Sequence, residues 1–261
     1  LELFSSIIVF IAGLWAGTIN AVVGSGTLVT FPVLIALGVA PVVASMSNAM
    51  GLVAGTAAGA FGYRRELAGR GRQVLRLLPA SVLGGVSGAW LLLHLPEKVF
   101  HYVAPVLLVL ALLMVVFQPK LQDWVRNREA NPEHAVRDKR HGILLVVLVY
   151  LAGVYGGYFV AAQGILLVGI LGVFLTGTIQ NANAMKNILV LGVNMVAAIS
   201  YLLFAFDRIN WLVVLLIAVS STIGGILGSK VGRKLSPRVL RAVIFSLGIV
   251  ALAVMIANLL K

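Results

Sequence analysis

Apolar residues come along this chain in long runs, interrupted by glycine, proline or clusters of charge, and the runs repeat. From Ala12 the chain reads AGLWAGTINAVVGSGTLVTFPVLIALGVAPVVASMSN, and about 140 residues later a degenerate copy reads AGVYGGYFVAAQGILLVGILGVFLTGTIQNANAMKN. The runs and their breakers predict helical segments over residues 3–23, 26–38, 41–63, 77–95 and 99–117, and again over 142–163, 165–176, 179–205, 211–229 and 242–260. Residues 118–141 are polar, mix both signs of charge and contain Pro119 and Pro132, which reads as a solvated connector with one helical turn near Leu121 to Arg126. The expected organisation is a first membrane repeat (1–117), a cytoplasmic connector (118–141) and a second membrane repeat (142–261).

The second segment of each half is too short for its setting. Residues 26–38 rise about 20 Å as a helix, against a hydrocarbon core of about 30 Å. A helix broken inside lipid leaves backbone donors and acceptors unpaired, which is tolerated only under a cover of protein or water. Gly24-Ser25-Gly26 suits such a break, and the following helix start presents free N–H groups and a partial positive charge that favours an anion. Gln163-Gly164 stands at the corresponding place in the second half. Two readings of these glycines stand side by side: a site, or close helix packing of the kind Gly51, Gly55 and Gly59 provide in their small-xxx-small row.

Composition identifies the solvent. Apolar residues make up 61% of the chain and charged residues only 11%, well under the roughly 25% usual in soluble domains, so this is an all-α polytopic membrane protein. Leu1-Glu2 is no basic leader and no A-x-A site follows, so the first segment is expected to be a retained span. There is no cysteine, which excludes disulfides, thiolate metal sites and cysteine catalysis. The net charge of +12 comes from basic residues beside apolar segments, a distribution that fits loops on an anionic lipid surface; nucleic-acid binding is not expected.

The placement of that charge predicts a topology. The basic link of the first half (Arg64, Arg65, Arg70, Arg72, Arg76) joins its third and fourth segments, whereas that of the second (Lys230, Arg233, Lys234, Arg238, Arg241) joins its fourth and fifth. The links that correspond to them, Glu97-Lys98 and Asp207-Arg208, are nearly neutral. With loops 64–76, 118–141 and 230–241 in the cytoplasm and both termini outside, the halves become inverted repeats of about five membrane segments in the cell (inner) membrane. In that architecture, sites form near the midplane from discontinuous helices.

Polar residues inside the spans mark the candidate site. Gln180, Asn183, Asn187 and Asn194 fall within about 60° of one another around one helix, so that stripe faces protein or a cavity. Lys186, next to Asn187, is the one charged residue inside an apolar segment; it either contacts substrate or snorkels to the interface. The amides, in turn, either line a cavity or join helices, and Asn48, aligned with Asn187, is open to the same two readings. Asn20, Gly24, Ser25, Gly26, Asn48, Gln163, Gly164, Asn183, Lys186 and Asn187 form the candidate substrate-binding set. His94 and His101 fall near the outer boundary and read as interfacial.

GTINAVVGSGTLVTFPVLIALGVAP, ASMSNAM and QNANAMKN together resemble the TauE/SafE family of membrane transporters, over nearly the whole chain. The first motif carries the resemblance at Asn20, Gly24, Gly26, Pro32, Ala44 and Asn48, with Ser25 where family members commonly have glycine. The resemblance implies export of sulfite or a sulfonated organic acid such as sulfoacetate. The residues agree on an anion, since the eight acidic residues all lie at segment ends or in loops, leaving no carboxylate within the spans for a cation or a proton relay. The expectation is a secondary transporter of a small organosulfur oxyanion working by alternating access, with no metal or cofactor. A channel, or a carrier of another small organic anion, is the alternative. An enzyme is not expected, because His94, His101, His134 and His141 lie at the ends of the spans or outside them, at unrelated spacings. Outward movement of an anion is favoured by an inside-negative potential, by about 2.3 kcal/mol per charge per 100 mV. The oligomeric state is not legible.

Overall fold

The structure, a computed structural model, describes residues 2–129, 139–175, 177–231 and 237–259. Its helices are α1 (Leu3–Val22), α2 (Thr27–Ala36), α3 (Pro41–Gly62), α4 (Gly71–His94), α5 (Glu97–Glu129), α6 (Lys139–Phe159), α7 (Gln163–Phe174), α8 (Ile179–Phe204), α9 (Trp211–Val231) and α10 (Pro237–Leu259), with short 3₁₀ turns at Arg64–Leu67 and Phe206–Arg208. Helices α1, α3, α4, α5, α6, α8 and α9 are long and apolar enough to cross a membrane; α2 and α7 are not. This is an all-helical, multi-pass membrane protein.

Burial follows the logic of lipid, with large side chains outside and small or polar ones inside. On α1, Leu3, Ile7, Ile11 and Trp15 recur every four residues on the exposed face, while Ala12, Gly13, Ala16, Gly17 and Asn20 are buried. Lipid tails are as apolar as leucine, so helices associate through close packing and polar contacts, which small residues permit. Gly13 and Gly17 of α1 lie against Ser220 and Ser221 of α9, and Gly224 and Gly228 of α9 lie against Leu14 and Thr18 of α1, so these helices run side by side in one direction. Gly84 and Gly88 of α4 meet Tyr150, Gly153, Val154 and Gly157 of α6 in the same manner. The first helix of each half thus packs on the fourth helix of the other half.

Charge separates the two ends of the bundle. At one end Asn181, near the start of α8, donates to the Glu66 carbonyl; Gly142 of α6 adjoins the Arg76 guanidinium; and Gly62 at the end of α3 touches Ser229 near the end of α9. The basic link 64–76 and the exit of α9 toward residue 230 therefore share that end. At the other, Arg208 pairs with Glu97 and the Asn210 amide donates to Ser47.

Several boundaries differ from those the sequence predicts, including the start of α10 at Pro237 rather than 242. Helix α4 begins at Gly71, inside the basic link, because arginines extend a helix readily once outside lipid. Helix α5 continues to Glu129, with Gln118 buried and Leu121 packed on Gly169 of α7, so the first part of the expected connector is helix rather than loop with a single turn. The break in the second half falls at residues 160–162 instead of at Gly164, and Gln163 opens α7. The connector's last residues, 139–141, open α6, while residues 130–138 and the basic residues at 233 and 234 lie outside the described residues.

Candidate functional site

The two helix breaks meet each other. After α1 ends, Gly24 adopts φ +84° and the chain turns into α2 through Ser25 and Gly26. In the second half Val160 (φ 65°) and Ala162 (φ 58°) make the turn into α7. A left-handed conformation is unfavourable for any side-chain residue and most of all for β-branched valine, so this second turn is held under strain by its surroundings. Part of what holds it is Gly24, whose carbonyl accepts the Gly164 N–H at 3.1 Å. A Cβ on Gly24 would stand 2.6 Å from the Gly164 Cα, and one on Gly164 would stand 2.5 Å from the Gly24 Cα. No side chain fits between these backbones, which settles the packing role of both glycines. The starts of α2 and α7 are brought together by this contact, and the N–H groups of Leu28, Val29, Gly164, Ile165 and Leu166 are already engaged by backbone carbonyls.

Lys186 reaches the same point from α8. It is fully buried, so it does not snorkel, and its Cδ lies alongside the positions where Cβ atoms of Gly24 and Gly164 would stand. Its Nζ donates to the Asn20 carbonyl at 3.0 Å and to the Ala21 carbonyl at 3.4 Å. Both carbonyls belong to the last turn of α1, where the break removes the helical N–H groups they would otherwise meet; the Gly24 N–H goes to Ile19 instead. Asn187 Nδ2 also donates to the Ala21 carbonyl, at 3.4 Å. The negative end of α1 is therefore capped by a cation and an amide from another helix. Among the described residues, Lys186 makes no ion pair.

The remaining candidates divide by position. Gly26 packs against the Ala16 carbonyl and the Asn20 Cβ. Asn20 Nδ2 donates to Thr56 Oγ1 at 3.0 Å, and Asn194 Nδ2 donates to the same hydroxyl at 3.3 Å, so Thr56 ties α1, α3 and α8 together. Asn48 donates to Thr27 Oγ1 at 3.1 Å and accepts from the Thr30 hydroxyl, joining α3 to α2 one turn below the break. That is a joining role. The polar stripe on α8 runs from exposed Gln180 through half-buried Asn183 to buried Asn187 and Asn194, so it leads from the basic end of the bundle inward. Ser25 and Gln163, both about 1% exposed, are different: the Ser25 hydroxyl and both atoms of the Gln163 amide have no hydrogen-bond partner. The Gln163 amide packs against Gly156 of α6, one turn before the second break.

Thr27, Thr30, Thr56 and the carbonyl of Ala21 were not among the residues the sequence singled out. Thr27 and Thr30 share a face of α2, as i, i+3 neighbours do, and that spacing was the available signal. Nothing in the sequence marks Val160 and Ala162 as a break, since both residues are ordinary helix interior.

Two cavities lie away from this chemistry. One of about 110 Å³ lies at the α2–α3 corner among Ile35, Gly38, Pro41, His101 and Met255, and one of about 10 Å³ lies beside Arg70, Gly177, Thr178 and Asn181. The meeting of the breaks, unlike either cavity, gathers the buried cation, two helix starts and the unpaired amide.

A bundle of membrane-crossing helices with paired broken helices and a buried polar centre is the build of a membrane transporter. The chain matches the family described as sulfite exporter TauE/SafE over residues 9–255, and it belongs to that family of membrane transporters. It is 26% identical over 222 residues to a probable membrane transporter protein ORF9 of Sinorhizobium sp, covering 85% of this chain and 80% of that one. It is 27% identical over 159 residues to the probable membrane transporter protein YfcA of Escherichia coli K12, covering 60% of this chain and 55% of that one. A probable membrane transporter protein of Haemophilus influenzae is 25% identical over 224 residues, 85% of this chain and 83% of its own. No solved structure matches the chain significantly.

Proposed function

We propose that this protein is a secondary transporter that exports a small organosulfur oxyanion, sulfite or a short sulfonate such as sulfoacetate, across the cell membrane by alternating access. The observation that carries this reading is Lys186: a buried cation with no carboxylate partner among the described residues, placed where two helix starts converge. An uncompensated charge is expensive in a low-dielectric interior, and an anion bound beside it offsets that cost. Gly24, Ser25, Gly26, Gln163, Gly164, Lys186 and Asn187 form the centre of the site; Asn183 lies on its approach, and Asn20 and Asn48 hold the frame. The family description supplies the organosulfur class.

The halves 1–117 and 142–261 act as inverted repeats, with the basic end of the bundle in the cytoplasm and the start of α1 and end of α10 on the opposite side. The gathering of basic links at one end, and the exchange of first-helix and fourth-helix partners between halves, support this arrangement. Because Ser25, Gln163, Lys186 and Asn187 are buried, a solute reaches them only when the halves move, as alternating access requires.

The test is counterflow of labelled sulfite or sulfoacetate in proteoliposomes. Saturable exchange is expected for the wild type and its loss for Lys186→Met, with the variant still folded by thermal unfolding. Non-saturating flux would mark a channel, and exchange unaffected in Lys186→Met, Gln163→Leu and Asn187→Ala would remove the site assignment.

A further inference from the structure

Gln163 is the first residue of α7, next to the Gly24–Gly164 contact, and its side chain is about 1% exposed. Neither its Nε2 donor nor its Oε1 acceptor has a partner, so turning the amide over leaves the same deficit. Ser25, flanking the same contact on the other chain segment, is equally buried and its hydroxyl equally unpaired. Buried polar groups are normally hydrogen-bonded, and a pair of orphans on either side of one helix meeting points to a ligand that completes them.

The kind of ligand follows from what each atom lacks. The Ser25 hydroxyl and the Gln163 amide N–H can donate to oxyanion oxygens, but Gln163 Oε1 only accepts. Among the described residues no donor reaches it, and the Lys186 ammonium is engaged by the Asn20 and Ala21 carbonyls. A fully deprotonated, donor-free anion therefore leaves Oε1 unpaired. Charge narrows the class further: one buried lysine balances one negative charge, and a second would stand uncompensated in the interior. We infer that the substrate is a singly charged oxyanion that carries its own O–H or N–H donor, which Gln163 Oε1 accepts. This rests on the oxyanion reading above and narrows it: hydrogensulfite fits, whereas the sulfite dianion and sulfoacetate, both donor-free dianions, do not, and Gln163 becomes the residue that separates donor-bearing anions from anions that lack a donor.

Sulfamate and methanesulfonate test it. Both are singly charged at neutral pH and similar in size, but sulfamate carries N–H groups where methanesulfonate carries a methyl group. Their dissociation constants for the purified full chain, measured by isothermal titration, are expected to differ by about tenfold or more in favour of sulfamate, because a site built for a donor rejects the analogue without one. In Gln163→Met the two should bind alike. Equal binding by the wild type would overturn the inference while leaving the oxyanion reading intact, as would a sulfamate preference that persists in Gln163→Met. Binding of neither anion, nor of sulfite, would instead sink the oxyanion reading itself. The wild-type comparison decides the matter even if the variant does not fold.

Discussion

Gly164→Ala isolates the contact on which the site is built, because propensity and packing predict opposite signs for it. Gly164 lies in the first turn of α7 with an ordinary helical backbone, so helix propensity alone favours alanine by up to about 1 kcal/mol. The added Cβ, however, would stand 2.5 Å from the Gly24 Cα and 2.7 Å from its carbonyl oxygen, where ordinary contact begins at 3.4 Å. Both neighbours are backbone, so relief requires the two chain segments to part by about 0.9 Å, the difference between 3.4 and 2.5 Å. That would stretch the 3.1 Å hydrogen bond from Gly164 N–H to Gly24 O to about 4.0 Å, which is no longer a hydrogen bond. Losing it costs about 1 kcal/mol. Overpacking adds about 1–3 kcal/mol. The net expectation is destabilisation of about 1–3 kcal/mol after the propensity gain is subtracted. Thermal unfolding of purified protein in detergent reads it, with Gly71→Ala as the control, since a Cβ there meets nothing within 4 Å and should be neutral or mildly stabilising. A Gly164→Ala protein as stable as the wild type, or more so, would refute the close meeting of the two breaks.

Other expectations follow from separate parts of the structure. Thr56→Val removes the acceptor shared by Asn20 and Asn194 and should lower stability by about 2 kcal/mol or more in thermal unfolding, while Thr56→Ser, which keeps the hydroxyl, should retain most of it. Asn181→Ala removes the side-chain half of the capping box, which accepts from Thr178, and the bond to the Glu66 carbonyl, and should loosen the start of α8 by about 1 kcal/mol, seen as faster amide hydrogen exchange over residues 179–184. The chain has no cysteine, so single cysteines can be introduced to read topology: one at Ala68 should react with an impermeant thiol reagent only from the cytoplasmic side, and one at Phe206 only from the other. Labelling of both from the same side would contradict the inverted arrangement.

Much of this protein is legible along the chain because lipid is an undemanding solvent to read. A run of apolar residues long enough to cross it must be helical, so the principal segments of each half, and the two short ones, follow from hydropathy and length alone. Gly24 and Gly26 are also readable, since a glycine pair beside polar residues inside a span needs a reason. Lys186 is conspicuous as a charge where charge is costly. What the chain cannot state is which group meets which. That Lys186 caps the carbonyls of Asn20 and Ala21, that Thr56 serves two asparagines, and that Asn48 joins α3 to α2 all depend on helices far apart in sequence coming together. The break at Val160 and Ala162 is the clearest case, because neither residue prefers a left-handed backbone and only the surrounding packing imposes it. Local composition therefore determined the segments, their burial in a membrane and the residues worth suspecting. Tertiary contact alone decided that the two interruptions are one place, because the Gly24 carbonyl and the Gly164 amide complete each other across 140 residues of chain.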